Sequence, residues 1–182
     1  MGLPRNPHSV LFFTGMLFTD EGIYDAALTK LEDFFGEAVM ESAPVRWDCS
    51  AYYREEMGEP IFRRFIFFKN LKFPDSLAAS KLFTNGIEAS FSVDGRRKIN
   101  IDPGYMHPAK IVLASTKDYS HRIYLRDGIY AEVTLLFQKG RFESHVNTYR
   151  EFQEERNLKT FYMARRLYFL LREGQKQTIS PS

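Results

Sequence analysis

Two hydrophobic periods alternate along the chain, and each switch between them marks an element. Val10 to Phe18 (VLFFTGMLF) is almost continuously apolar, the pattern of a strand covered on both faces. Thr19-Asp20-Glu21 then supplies a capping side chain and an acid for a first helical turn. Ile23, Ala26, Ala27, Leu31, Phe34 and Phe35 recur at helical spacing until Gly36 stops the helix. Ala38 to Trp47 predicts a second strand, bent near Pro44, and residues 48–60 a polar connector with room for a helical turn. Ile61 to Phe68 (IFRRFIFF) predicts a third strand from its Ile and Phe content. Phe73-Pro74-Asp75-Ser76 opens a second helix with Asp75 or Ser76 as cap, running to about Val93, where Asp94-Gly95 turns the chain back.

Further strands are expected at Lys98–Asp102, ended by a turn at Asp102-Pro103-Gly104-Tyr105, and at Ala109–Thr116. A hairpin follows from His121 to about Gln138. Its polarity resolves best in a bulged register, with Leu125 opposite Ile129, Ile123 opposite Ala131 and His121 opposite Val133 on one face. Tyr124 opposite Tyr130 and Arg122 opposite Glu132 then share the other. Tyr149 to Arg172 reads as an amphipathic helix broken near Asn157. This order predicts an α+β fold: a mostly antiparallel sheet with packed helices, a ferredoxin-like βαββαβ start, and an extension by a β-hairpin and a C-terminal helix. One domain is expected over residues 1–174, with residues 175–182 a disordered tail that has too little apolar content to dock.

Composition narrows the function classes. A chain of 182 residues can bury a real core as one domain, and 17 Phe and 10 Tyr promise a densely aromatic one. A net charge of +2 from nearly balanced acids and bases argues against a nucleic-acid binder, and no RNP-type string accompanies the sheet. The single cysteine, Cys49 in WDCSAYY, excludes a disulfide framework and reads as ordinary packing. No signal-peptide core and no run of ~18 apolar residues is present, so the expectation is a cytoplasmic protein with no membrane partner.

Chemistry concentrates in residues 96–132 (RRKINIDPGYMHPAKIVLASTKDYSHRIYLRDGIYAE), where charged groups thread through β-forming residues. A sheet needs only one apolar face, so the second face is a candidate polar site, and a simply wet, salt-bridged face is the plainer account. In KINID, Ile99 and Ile101 share one face, leaving Lys98, Asn100 and Asp102 on the other. Lys110 shares a side with Val112 and Ala114, Arg122 and Glu132 come from the hairpin, and Asn85 and Glu88 close the site from the second helix. The candidate ligand-binding residues are therefore Asn85, Glu88, Arg97, Asn100, Lys110, Lys117 and Arg122, with Lys110, Lys117 and Arg122 as anion holders. Asp102, Glu132 and His121 are the candidate acid–base groups. The four histidines never stand at i,i+3 or i,i+4, and although Asp102, Asp118, Asp127 and Glu132 could form a hard-cation site, no metal site is assigned and the cofactor is unknown. TKD at 116–118 has no phosphate loop to partner it, and a Ser115, His121 and Asp102 triad has no nucleophile elbow.

Several strings, among them TDEGIYDAALTKLEDFFG, YYREEMG at 52–58, VDGRRKINIDPGY at 93–105, TKD at 116–118, HRIYL at 121–125 and DGIYAE at 127–132, occur in order at fixed spacings. In these the chain resembles the bacterial family known as domain of unknown function 4416, from about Val10 to about Leu171. The resemblance implies a bacterial setting and carries over no activity and no site residue. Two function classes stay open. One is binding of, or action on, a small anionic or phosphorylated metabolite at the polar face. The other is a non-enzymatic interaction or scaffold domain in homodimeric form, suggested by Tyr52, Tyr53, Phe67, Phe68, Tyr162 and Tyr168.

Overall fold

The computed structural model describes residues 2–48 and 51–179; Cys49 and residues 180–182 of the expected tail lie outside the described residues. The strands are β1 (Leu11–Phe18), β2 (Ala38–Glu41), β3 (Val45–Arg46), β4 (Phe62–Phe68), β5 (Ile99–His107), β6 (Lys110–Ser115), β7 (Ile123–Arg126), β8 (Ile129–Gln138) and β9 (Arg141–Glu143). The helices are α1 (Glu21–Phe35), α2 (Ala51–Met57), α3 (Leu77–Ser90), α4 (Arg150–Gln153) and α5 (Glu155–Ile179), with a 3-10 turn at Pro74–Ser76. All strands join one sheet in the order β2-β4-β1-β5-β6-β8-β7, with β3 beside β4 and β9 beside β8. Every pairing is antiparallel. The fold is α+β. Its first four long strands lie in the order β2-β4-β1-β5, with α1 and α3 as the two crossovers, which is the split-βαβ arrangement.

The sheet is covered on both sides, which is why β1 is buried throughout. Phe12, Met16 and Phe18 pack with Tyr24, Ala27, Leu31 and Phe35 of α1 and Leu77, Ala78 and Ile87 of α3. Leu11 and Phe13 point the other way, onto Phe152, Phe161, Ala164 and Tyr168 of α4 and α5. Asp20 caps α1 by accepting a hydrogen bond from the Ile23 N–H (2.9 Å), and Gly36 ends it at φ 89°. Ser76, an expected cap for α3, makes no capping bond. The C-terminal helix breaks at Glu154, three residues before Asn157, whose Nδ2 donates to the Glu151 carbonyl (2.6 Å) across the break.

Two local expectations are corrected. Asp102-Pro103-Gly104-Tyr105 is no turn, because β5 runs straight through it to His107. Gly104 makes the continuation possible, since a Cβ there would lie 2.6 Å from the Val112 carbonyl and 2.7 Å from the Phe13 ring. In the hairpin, Ile123 faces Ala131 and Tyr124 faces Tyr130 as expected, but Ile129 faces Arg126, with the irregularity at Leu125. Asp127 (φ 54°) and Gly128 (φ 74°) both take left-handed backbone, so a two-residue turn closes the loop and the extra residue moves into the strand. β7 is an exposed sheet edge, and Ile123 keeps 72% of its surface open.

Gly104→Ala should lower the unfolding free energy by about 1–3 kcal/mol, read as a fall in the urea midpoint, because carbonyl and ring must both move. Gly86→Ala, inside α3 with open space around the new methyl, should instead leave stability unchanged or raise it by up to about 1 kcal/mol.

Candidate functional site

β5 and β6 pair only from Gly104↔Leu113 to His107↔Lys110. Towards Ile99 they part, and the exposed side of β5 would leave the Ile101 N–H and C=O unmet in a buried position. Two side chains of α3 take the place of the missing strand. The Ile101 N–H donates to Glu88 Oε1 (2.7 Å), and Lys81 Nζ donates to the Ile101 carbonyl (3.0 Å). Lys81 and Glu88 stand seven apart, two turns on one helix face, which suits bracketing a single residue. Pro103, two residues on, has the same orientation as Ile101, so its missing N–H falls in the gap where no ladder bond is required.

The gap is the floor of a cavity of ≈ 610 Å3 on the α4–α5 side of the sheet. Its walls come from β1 and β4–β6, from β8, from α2 and α3, from the segment after β6, and from Tyr149 to Phe152. Six cationic side chains line it (Arg63, Lys81, Arg97, Lys117, Arg122 and Arg150) against four carboxylates, those of Glu88, Asp102, Glu132 and Glu151.

Most of these charges are already matched. Arg97 donates from Nε and Nη2 to the two oxygens of Glu56 (2.6 and 2.8 Å) and from Nη1 to Glu88 (3.0 Å) and to Asn100 (2.8 Å). Arg122, whose side chain is 1% exposed, donates from Nε to Glu132 (2.7 Å), from Nη1 to Ser115 Oγ (2.6 Å) and the Lys117 carbonyl (2.9 Å), and from Nη2 to Tyr149 Oη (2.6 Å). Arg63 donates to Glu151 (3.1 Å) and lies over Phe65, 4.9 Å from the ring centre. Gly15 makes room for it, since a Cβ there would sit 2.9 Å from Arg63 Nη2. Lys81 also donates to Asp102 Oδ1 (3.2 Å), and Asn100 Nδ2 donates to Asp102 Oδ2 (2.8 Å). Lys117 and Arg150 make no ion pair among the described residues, so the unmatched positive charge stands at these two exposed side chains.

The two central carboxyls are driven apart. Burial dominates at Glu88 and raises its pKa against the pull of Lys81. At Asp102 burial also opposes ionisation, but Lys81 and Arg63 outweigh it and hold the carboxyl below the usual range. Asp102 keeps about a third of its side-chain surface open (34%), so an ionised carboxylate with spare lone pairs faces the cavity. Burial raises the phenols of Tyr53 and Tyr149, helped by Asp102 and Glu132 respectively, and both stay protonated donors at neutral pH.

Of the residues singled out from the sequence, Asn85, Glu88, Arg97, Asn100, Asp102, Lys117, Arg122 and Glu132 line this one cavity. His121 stands one contact behind it, with Nε2 2.9 Å from Glu132 Oε2. Lys110 is not in the lining. It lies at the far end of β6, paired with His107 and Leu136, and it shares its strand face with Val112 and Ala114, which pack towards α1 and α3. Arg63, Lys81, Tyr53, Tyr149, Arg150 and Glu151 were not among the expected site residues. Lys81 was within reach, because Lys81, Asn85 and Glu88 fall on one helical stripe. Arg63 and Tyr149 to Glu151 gave no signal, since only the sheet order and the path into α4 bring them here.

The chain matches a family model, described as domain of unknown function 4416, over residues 8–168. It belongs to that family. No curated protein and no solved structure matches it. The strings that border the cavity, VDGRRKINIDPGY, TKD, HRIYL and DGIYAE, all fall inside the family's span. Among the described residues no helix is long and apolar enough to cross a membrane, and no group of three or more His, Cys, Asp or Glu side chains could hold a metal ion.

Arg122→Ala should destabilise the fold by about 3 kcal/mol, because it leaves the buried Glu132 (side chain 3% exposed) with His121 as its one remaining partner among the described residues. Adding Glu132→Gln to that variant should restore part of the loss in urea unfolding. A pH effect follows from Glu56, whose pKa is lowered by its hydrogen bonds from Arg97 below the ordinary 4.5. Its contribution is complete above the unfolded value and disappears as pH falls through the folded one. Glu56→Gln should therefore be less stable than wild type at about pH 7, with the gap narrowing as pH falls below the ordinary 4.5; a gap that stays constant would show that charge is not its source.

Proposed function

We propose that this cavity binds a small anionic metabolite of cytoplasmic origin. The observation that carries the reading is the pair of cations Lys117 and Arg150, which line the cavity without an ion-pair partner among the described residues, while its other four cations are matched by the lining carboxylates and Glu56. Unmatched charge beside a cleft with low-dielectric walls concentrates ions of the opposite sign. Arg97 and Arg122 act in this reading as the frame: their donors are spent on protein acceptors, and they hold Asn100, Ser115 and Tyr149 in place. Asp102 is the group available as an acid–base or hydroxyl-orienting carboxylate, and Glu132, held by His121 and Arg122, lines the same cavity.

An interaction domain is the second reading, and its support is β7. That edge strand leaves Ile123, Tyr124 and Leu125 exposed beside unpaired backbone, a surface suited to strand addition by a second copy. Sedimentation as a monomer at about 100 μM would remove it.

In a thermal-shift screen of sugar phosphates, nucleoside monophosphates, dicarboxylates and inorganic phosphate, at least one anion should raise the melting temperature. Lys117→Ala and Arg150→Ala should each weaken that ligand about tenfold, the loss of one charge-assisted hydrogen bond, without lowering the melting temperature of the free protein. No shift with any of these anions would sink the reading.

A further inference from the structure

The cavity lining offers two kinds of hydrogen-bonding chemistry. Lys117 and Arg150 are donors only, both are exposed and without an ion pair among the described residues, and Arg122 ties their two segments together by donating to the Lys117 carbonyl (2.9 Å) and to Tyr149 Oη (2.6 Å). Such a pair suits an acceptor-only group bearing about two negative charges. A phosphate monoester carries −1.5 to −2 at neutral pH, with three terminal oxygens.

The interior is mixed. Asp102 accepts one bond on each oxygen, from Lys81 and from Asn100, and its open surface retains further lone pairs. Asn100 Nδ2 has two hydrogens and spends one of them on Asp102. Arg63 is 7% exposed, its Nη1 is held by Glu151, and its Nη2 has no partner among the described residues. Free acceptors and free donors side by side match groups that both donate and accept. Hydroxyls are such groups, whereas a second phosphate or carboxylate could not answer the Asp102 carboxylate. Leu17, Leu113 and Ala114 line the floor and would meet carbon rather than charge.

Resting on the anion-binding reading, we infer that the ligand is a hydroxylated phosphate monoester of sugar or polyol type, with its phosphate at Lys117 and Arg150 and its hydroxyls at Asp102, Asn100 and Arg63. The cavity of ≈ 610 Å3 accommodates a pentose or hexose phosphate, since ligand pockets of that size class enclose small metabolites. Asp102 is the group that separates this class from simple anions, because an unprotonated carboxylate repels any ligand that brings no donor to it.

The test is calorimetric titration of the wild-type protein with ribose 5-phosphate, glucose 6-phosphate, glycerol 3-phosphate, free glucose, adenosine monophosphate and inorganic phosphate. At least one of the three sugar or polyol phosphates should bind ten times more tightly than inorganic phosphate and than glucose. Its affinity should fall as pH drops through about 6, where the ester loses its second charge. Asp102→Asn should bring the sugar phosphate down to the affinity of inorganic phosphate and leave inorganic phosphate itself unchanged or tighter. Equal binding of phosphate and sugar phosphates would overturn the hydroxyl assignment while leaving the anion reading standing, and so would a preference for adenosine monophosphate over all three. Glucose binding as well as its phosphate ester would overturn both. The wild-type comparison decides even if Asp102→Asn fails to fold.

Discussion

A buried peptide group must find partners, and at Ile101 the sheet cannot supply them. β5 has β1 on one side, but on the other β6 has already veered away. An open N–H and C=O there would cost several kcal/mol between them. Lys81 and Glu88 replace the absent strand, and much else follows from that substitution. A lysine and a glutamate buried beside a strand need counter-charges, which Asp102 and Arg97 provide. Arg97 in turn draws Glu56 from α2 onto the same network. One vacant ladder position therefore ties α2, α3 and β5 into one polar wall, and the space left by the diverging strands is the cavity.

The far wall obeys the same logic. Arg122 precedes β7, yet it donates to four acceptors from β6, the segment after it, β8 and the segment before α4. Its side chain is enclosed, and burying a guanidinium is tolerable only when it is paired and its donors are met. Glu132 faces Leu113 across the ladder and so projects on the cavity side of the sheet, where Arg122 and His121 both reach it. Arg63 is accommodated differently, by the absent side chain of Gly15 and by the faces of Phe65 and Phe152. These arginines are close to architecture. The side chains with charge to spare are the ones that frame nothing.

The element order was readable because periodicity reports which faces are covered. The unbroken apolar run of β1 reflects helices on both sides of it, and the alternation in KINID placed Asn100 and Asp102 together on the face they occupy. Parity within a strand is local, so those assignments carried through. Parity between strands is not. Lys110 looked eligible because its charge sits in the same stretch, but its face is set by the Leu113↔Glu132 and Val112↔Val133 register with β8, which one strand alone cannot reveal. The apparent turn at Asp102-Pro103-Gly104-Tyr105 misled for a related reason. Pro and Gly usually interrupt strands, and here each answers a tertiary demand: Pro103 needs no partner in the gap, and Gly104 admits the Val112 carbonyl and the Phe13 ring. Arg63 and Tyr149 to Glu151 come from segments whose approach only the completed sheet and the α4–α5 break decide.

Charge matching also bears on which kind of function the fold suits. A purely structural polar network gains nothing from surplus charge, because each unmatched cation adds repulsion against its neighbours and each matched pair must offset its own desolvation. The Lys81, Glu88, Asp102 and Arg97 cluster and the Arg122–Glu132 pair would serve architecture if the account ended with them. It does not end there. Asp102 is held ionised by Lys81 and Arg63 while its open surface faces a space large enough for a metabolite, and two further cations border that space without ion-pair partners among the described residues. A scaffold surface would place its free interaction energy outward, as β7 does with Ile123 and Tyr124. The unspent charge of this cavity stands on exposed side chains of its lining, beside a volume the chain itself leaves unfilled, and that placement favours a ligand over a partner protein at this face.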